Sequence, residues 1–163
     1  MSDAAFASVE EFRAQITLVQ GADAQAIRER FVQRFVNPAH ATFQARIGEL
    51  RAFSDGPAYV GHLWDYFASS EAVSESALWE RIGKLDAHVY AMWDVHSATL
   101  IRIPDFWKFP KRSIVAGGLR TIRRGLAFLP EDVYLFDARY TWCGALTHEW
   151  IAGGRYCLVA RPG

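Results

Sequence analysis

The chain has 163 residues, with 18 Lys and Arg against 18 Asp and Glu, so its net charge is zero. That length suits one domain with its own core, and 51% hydrophobic against 22% charged residues excludes a disordered chain. Zero net charge argues against bulk adhesion to nucleic acid or membrane, two cysteines are too few for a disulfide framework, and no apolar run approaches the roughly 18 residues of a membrane span.

The first half reads as helical. Ser8-Val9-Glu10-Glu11 has the form of a capping box, where hydroxyl and carboxylate satisfy free N–H groups at a helix start. Val9, Phe12, Ile16 and Val19 follow helical spacing up to Gly21. Asp23 can cap a second helix carrying Ile27, Phe31 and Phe35. Asn37-Pro38 ends it, because the residue before proline is pushed out of the helical region. Phe43, Ile47 and Leu50 mark a third helix, closed by Ser54-Asp55-Gly56-Pro57. Tyr59, Leu63, Trp64 and Phe67 mark a fourth. Leu78, Ile82 and Leu85 mark a fifth, entered through the serine-rich stretch from Ser69 to Ser76.

The second half changes period. Residues 87–95 alternate as a strand rich in β-branched and aromatic side chains. Pro104 and Pro110 bracket a loop, and Val115, Leu119, Ile122 and Leu126 make a helical stripe over about 111–127. Gly117-Gly118 weakens that helix by about 1 kcal/mol per glycine unless close packing requires the pair. Leu129-Pro130-Glu131 is a turn, and residues 133–136, 140–151 and 155–160 read as strands joined by two hairpin connections. The expected fold is α+β: a helical N-terminal half packed on a mainly antiparallel sheet of about four strands with one crossing helix. Residues 1–85 carry 8 basic and 11 acidic side chains and residues 86–163 carry 10 and 7. We expect one domain spanning 1–163, with a helical acidic lobe and a sheet-containing basic lobe.

Several residue groups carry possible chemistry. On a strand, residues two apart share a face, so His88, Tyr90, Met92, Asp94 and His96 line one side. A carboxylate beside an imidazole orients the ring and raises its pKa, as a general base requires. The structural alternative is that Asp94 and His96 cap the strand end on the backbone near Ser97 or Thr99. His148 and Glu149 are adjacent in a strand, so they face opposite sides unless a bulge intervenes. The helical His-Glu-x-x-His of zinc proteases is absent, since position 152 is Ala152. Asp94, His96 and His148 supply enough ligands for a composite metal site but have no recognisable spacing. With a turn near 153–154, Cys157 falls opposite about position 150, too far from Cys143 for a disulfide. Arg120, Arg123 and Arg124 share a helix face near Trp107 and suit either solvent, an acidic protein or single-stranded nucleic acid. Trp107 and Trp150 fit no apolar stripe, which marks them as interface anchors. No phosphate-cradling or nucleophile-elbow motif occurs, so no cofactor is expected.

The stretch Leu129-Pro130-Glu131-Asp132-Val133-Tyr134-Leu135-Phe136-Asp137, followed by Trp142 and Ala145-Leu146-Thr147-His148-Glu149, resembles the signature of small uncharacterised bacterial proteins. Some of those resemble immunity proteins that neutralise toxins of interbacterial competition. The resemblance covers the closing part of the chain and implies a binding protein that inhibits a bacterial toxin by direct contact. Trp107, Arg120, Arg123 and Arg124 are the expected partner-binding residues, with Glu71, Glu75 and Glu80 as the acidic alternative. The competing expectation is a small hydrolase or metal-dependent enzyme using Asp94, His96 and His148. Nucleic acid and membrane are not expected partners. Acidic Asp3, Glu10 and Glu11 without a basic, apolar leader point to a cytoplasmic protein.

Overall fold

The structure, a computed structural model, describes residues 4–85, 87–98 and 108–163. Its strands are β1 (Thr17–Val19), β2 (Arg51–Phe53), β3 (Gly56–Ala58), β4 (Ser70–Ser74), β5 (His88–Trp93), β6 (Ile114–Gly118), β7 (Val133–Asp137), β8 (Cys143–Ile151) and β9 (Gly154–Ala160). Among the described residues the α-helices are α1 (Val9–Arg13), α2 (Gly21–Phe35), α3 (Glu75–Ile82) and α4 (Leu119–Arg124). Seven strands form one sheet in the order β1-β6-β5-β7-β8-β9-β4, each pair of neighbours antiparallel. Strands β2 and β3 make a separate hairpin.

This corrects the expectation of a helical half on about four strands with one crossing helix. Four strands lie in the first half. The predicted first helix stops at Arg13, and β-branched Thr17 and Val19 pair with β6 instead. The predicted fourth helix is only a 3-10 turn over Leu63–Tyr66. The serine-rich stretch contributes β4, the outer strand beside β9, before Ser74 caps α3 through the Ala77 N–H. The predicted helix over 111–127 is strand β6 up to Gly118, and only Leu119–Arg124 is helical. Strand β6 lies between β1 and β5, so Ile114, Val115 and Ala116 are all buried. A strand covered on both faces reads as a continuous apolar run, which hides its period of two.

Alternate residues of the sheet feed two apolar layers. Tyr134, Phe136, Met92 and Cys143 face α2, packing on Phe31, Phe35 and the segment around Ile47 and Leu63. Val133, Leu135, Trp93, Leu146 and Cys157 face α1, α3 and α4 through Phe12, Leu78, Leu119 and Ile122. Each fully buried ring or branched chain contributes about 1.5–3 kcal/mol by leaving water. The stripe that α2 buries is Ala24, Arg28, Phe31 and Phe35, while Ile27 is only half-buried. Arg28 belongs there because its guanidinium donates to the carbonyls of Trp93 (2.8 Å) and Ser113 (3.1 Å), tying α2 to the end of β5 and the start of β6.

Strand β8 is interrupted by a bulge between Leu146 and Trp150. Leu146 pairs with Cys157 and Trp150 with Arg155, so three residues of β8 stand opposite Tyr156 alone. The bulge satisfies its own backbone: Thr147 Oγ1 donates to the Tyr156 carbonyl, and Arg155 Nε donates to the Thr147 carbonyl. It also moves Cys157 opposite Leu146 rather than position 150, and Cys143 opposite Ala160. Both thiols are free and buried, one in each apolar layer.

Candidate functional site

The pairing register gathers the site. Trp93 pairs with Val133, and Val133 pairs with Leu146. One step beyond each of these pairs, at the same rim of the sheet, come Asp94, Asp132 and the bulged Thr147-His148. The rim is completed by His62, on the loop leading into the Leu63–Tyr66 turn.

Asp94 is a buried carboxylate with every acceptor position filled. Its Oδ1 accepts the Tyr59 hydroxyl (2.8 Å) and the Leu63 N–H (3.0 Å). Its Oδ2 accepts the Tyr134 hydroxyl (2.8 Å) and faces His62 Nδ1 at 3.3 Å. Burial pushes its pKa up. The His62 hydrogen bond, the charges of His96 and His62 and the Leu63 N–H outweigh that and hold it below the ordinary value. Both tyrosine hydroxyls are pushed well above theirs, first by burial and then by the charge of Asp94. Burial lowers the pKa of His62, but the Asp94 hydrogen bond and the charges of Asp94, Asp132 and Asp65 raise it overall. Asp94 is thus held by long-range bonds, and Thr99, on which the expected local cap partly rested, lies outside the described residues. His96 is likewise spent on a distant partner, donating from Nε2 to the Gly61 carbonyl at 2.6 Å.

Asp132 forms the second half of the site. Its Oδ1 accepts the Trp64 indole N–H (3.0 Å) and the His148 backbone N–H (3.1 Å). Its Oδ2 faces His148 Nδ1 at 2.9 Å and His62 Nδ1 at 3.9 Å. The His62 ring lies over Trp64, with centroids 5.3 Å apart and planes at 24°. It stands 5.0 Å from the His148 ring and 4.8 Å from the His96 ring. His62 is 22% exposed, Asp132 16% and His148 42%, so the cluster opens to solvent on the His148 side. A carboxylate only accepts, so each Nδ1 carries a proton toward it when no metal ion is present. Among the described residues, two triplets have ligand atoms within 4.8 Å of one another: His62, Asp132 and His148, and His62, Asp94 and His96.

Asp94, His96 and His148 thus come to one rim, but they meet through His62 and Asp132, which are not among the residues expected from sequence. The signal was present in part. Asp132 lies one residue before a predicted strand, and Asp94 falls at the end of another. His62 carried none, because it lies in a predicted helix that the structure lacks. The arginine group stands elsewhere. Arg123 lies over the Trp79 ring at 4.5 Å and Arg124 over the Phe6 ring at 4.2 Å, and with Arg120 they border a cavity of about 480 Å³. Trp107 lies outside the described residues. On the alternative acidic patch, Glu71 is paired with Arg81 at 2.8 Å. Among the described residues no helix is long and apolar enough to cross a membrane. No family model, curated protein or solved structure matches the chain.

Proposed function

We propose that the chain is a small hydrolase working at the His62–His148 cluster, with water as the attacking group. The observation that carries this reading is the meeting of two imidazoles and two carboxylates at one partly open spot on the sheet rim. Imidazoles move protons near neutral pH and carboxylates orient them, and positioned acid–base groups contribute about 10²–10⁴-fold in rate. The buried anchor supports it: Asp94 is held by two tyrosines and a backbone N–H, so the ring it faces keeps one orientation. The test is turnover of a panel of carboxylic esters, amides, phosphomonoesters and phosphodiesters by the wild type, His62→Ala and His148→Ala, with the exposed His88→Ala as control. We expect one class to be hydrolysed, and both cluster variants to lose about 10²-fold or more. Wild-type rates in both variants, or no turnover of any class, would refute the reading.

A second reading, an immunity-type protein that binds a bacterial toxin, is favoured by a different observation. The tip of the β8–β9 hairpin carries Trp150, 68% exposed, and Ile151, 57% exposed. Aromatic anchors at exposed positions supply much of the energy of protein interfaces. Charge reversal of Arg120, Arg123 and Arg124, and separately Trp150→Ser, should each weaken capture of the toxin domain. If neither does, this reading fails.

A further inference from the structure

We infer that His62, Asp132 and His148 form a site for one divalent transition-metal ion of the zinc class, with Asp94 beside it and a coordination position open to solvent. The inference rests on the cluster being the working centre and adds the ion that would activate the water.

One ligand atom from each of the three residues lies within 4.8 Å of the other two. Tetrahedral zinc with bonds of about 2.0–2.1 Å separates its ligand atoms by about 3.3 Å. The two edges that meet at Asp132 Oδ2, 2.9 Å to His148 Nδ1 and 3.9 Å to His62 Nδ1, bracket that value. Two imidazole nitrogens with one carboxylate oxygen suit zinc and its neighbours, whereas calcium and magnesium require shells of oxygen. Three protein ligands and an open position are the pattern of catalytic zinc.

Charge and hydrogen bonding point the same way. His62 Nδ1 faces Asp94 Oδ2 at 3.3 Å and stands 3.9 Å from Asp132 Oδ2, so this nitrogen lies between two carboxylates. A single divalent ion takes the place of the two Nδ1 protons, and the charges of Asp94 and Asp132 balance it. The surrounding bonds already fix the ligands: the Trp64 indole holds Asp132, and Tyr59, Tyr134 and Leu63 hold Asp94. Outer partners of this kind orient metal ligands. In the other triplet Asp94 and His96 are buried and already spent on tyrosine and Gly61 bonds, so the half-exposed His148 side is where an ion enters.

The full chain, stripped with a chelator and dialysed, is titrated with Zn²⁺ against a chromophoric zinc indicator. Wild type and His88→Ala are expected to bind one equivalent with equal affinity. His62→Ala and His148→Ala are expected to bind at least about 10-fold more weakly. The half-exposed His148 ring can be removed without opening the core, so that variant tests binding rather than folding. Co²⁺ in place of Zn²⁺ should give visible absorption bands in wild type that His148→Ala lacks. The inference is overturned if wild type takes up no stoichiometric zinc, or if His148→Ala binds like wild type. Zinc uptake without hydrolysis of any substrate class sustains the inference and removes the hydrolase reading. Hydrolysis by chelated protein that takes up no zinc does the reverse.

Discussion

Replacing Asp94 by alanine should remove a large part of the fold's stability. The substitution orphans three buried donors at once: the hydroxyls of Tyr59 and Tyr134 and the Leu63 N–H. Each unsatisfied buried donor costs about 1–3 kcal/mol. Removing the carboxylate also relieves the penalty of burying its charge, so the net loss is smaller than the sum, about 3–5 kcal/mol. Total stability of a domain is about 5–15 kcal/mol, so Asp94→Ala places the chain near its limit. Asp94→Asn keeps the shape and one acceptor oxygen, and the Tyr134 hydroxyl can rotate to accept from the new amide. Its cost should be nearer 1–2 kcal/mol, about one hydrogen bond with some misfit. Tyr134→Phe should also cost more than one bond, because the Trp64 N–H donates to that hydroxyl at 3.1 Å. Urea unfolding followed by tryptophan fluorescence measures all three. A double variant, Asp94→Ala with Tyr134→Phe, should be less destabilised than the two singles added, since both remove the same contact. If Asp94→Ala unfolds within about 1 kcal/mol of wild type, Asp94 does not anchor this rim of the sheet.

Three further outcomes are expected. Gly125→Ala should cost about 1–3 kcal/mol, because the added Cβ meets three Phe12 ring atoms at 2.2–2.4 Å and that ring is locked against Phe6, Phe109 and Phe128; Gly118→Ala, with its nearest neighbour at 3.9 Å, should unfold like wild type. The Asp55 carboxyl is held well below its ordinary pKa by the Lys111 hydrogen bond, then by the Ala98 N–H and the Ser97 hydroxyl. Its contribution to stability is therefore present above the unfolded carboxylate pKa and lost as pH falls below it. Lys111→Met should raise the Asp55 midpoint in a carboxyl NMR titration and flatten the acid limb of stability, and an unchanged midpoint would discount the pairing. Burial pushes the Cys157 thiol up to about 11 and Cys143 well above its ordinary value, so neither should react with a thiol reagent at pH 8 until the chain is unfolded. Both should then react without a reductant, and a missing thiol would contradict their separation into opposite layers.

What could be read from local pattern and what could not divides along physical lines. The sequence by itself determined the elements whose signal is local. Ser8 caps α1 by accepting the Glu11 N–H, α2 runs to Phe35 before Pro38, and the alternating strands β5, β7, β8 and β9 lie close to their expected places. Short strands were not legible, because three residues such as Thr17–Val19 bury too little to carry a period and become strands only when β6 lies beside them. Strand β6 was misread for the complementary reason: burial on both faces erases alternation, and Gly117, whose added Cβ would stand 3.3 Å from Ile16, looks like a helix defect until Ile16 is placed against it. At the candidate site, Asp94, His96 and His148 stood out because imidazole and carboxylate carry chemistry wherever they occur. Their company did not. Only register places Asp94 and Asp132 on adjacent strand ends, only the bulge in β8 turns His148 toward Asp132, and only the loop before Leu63 brings in His62 from more than thirty residues away along the chain. Register and bulges are set by the packing of both apolar layers together, so no window of sequence contains them.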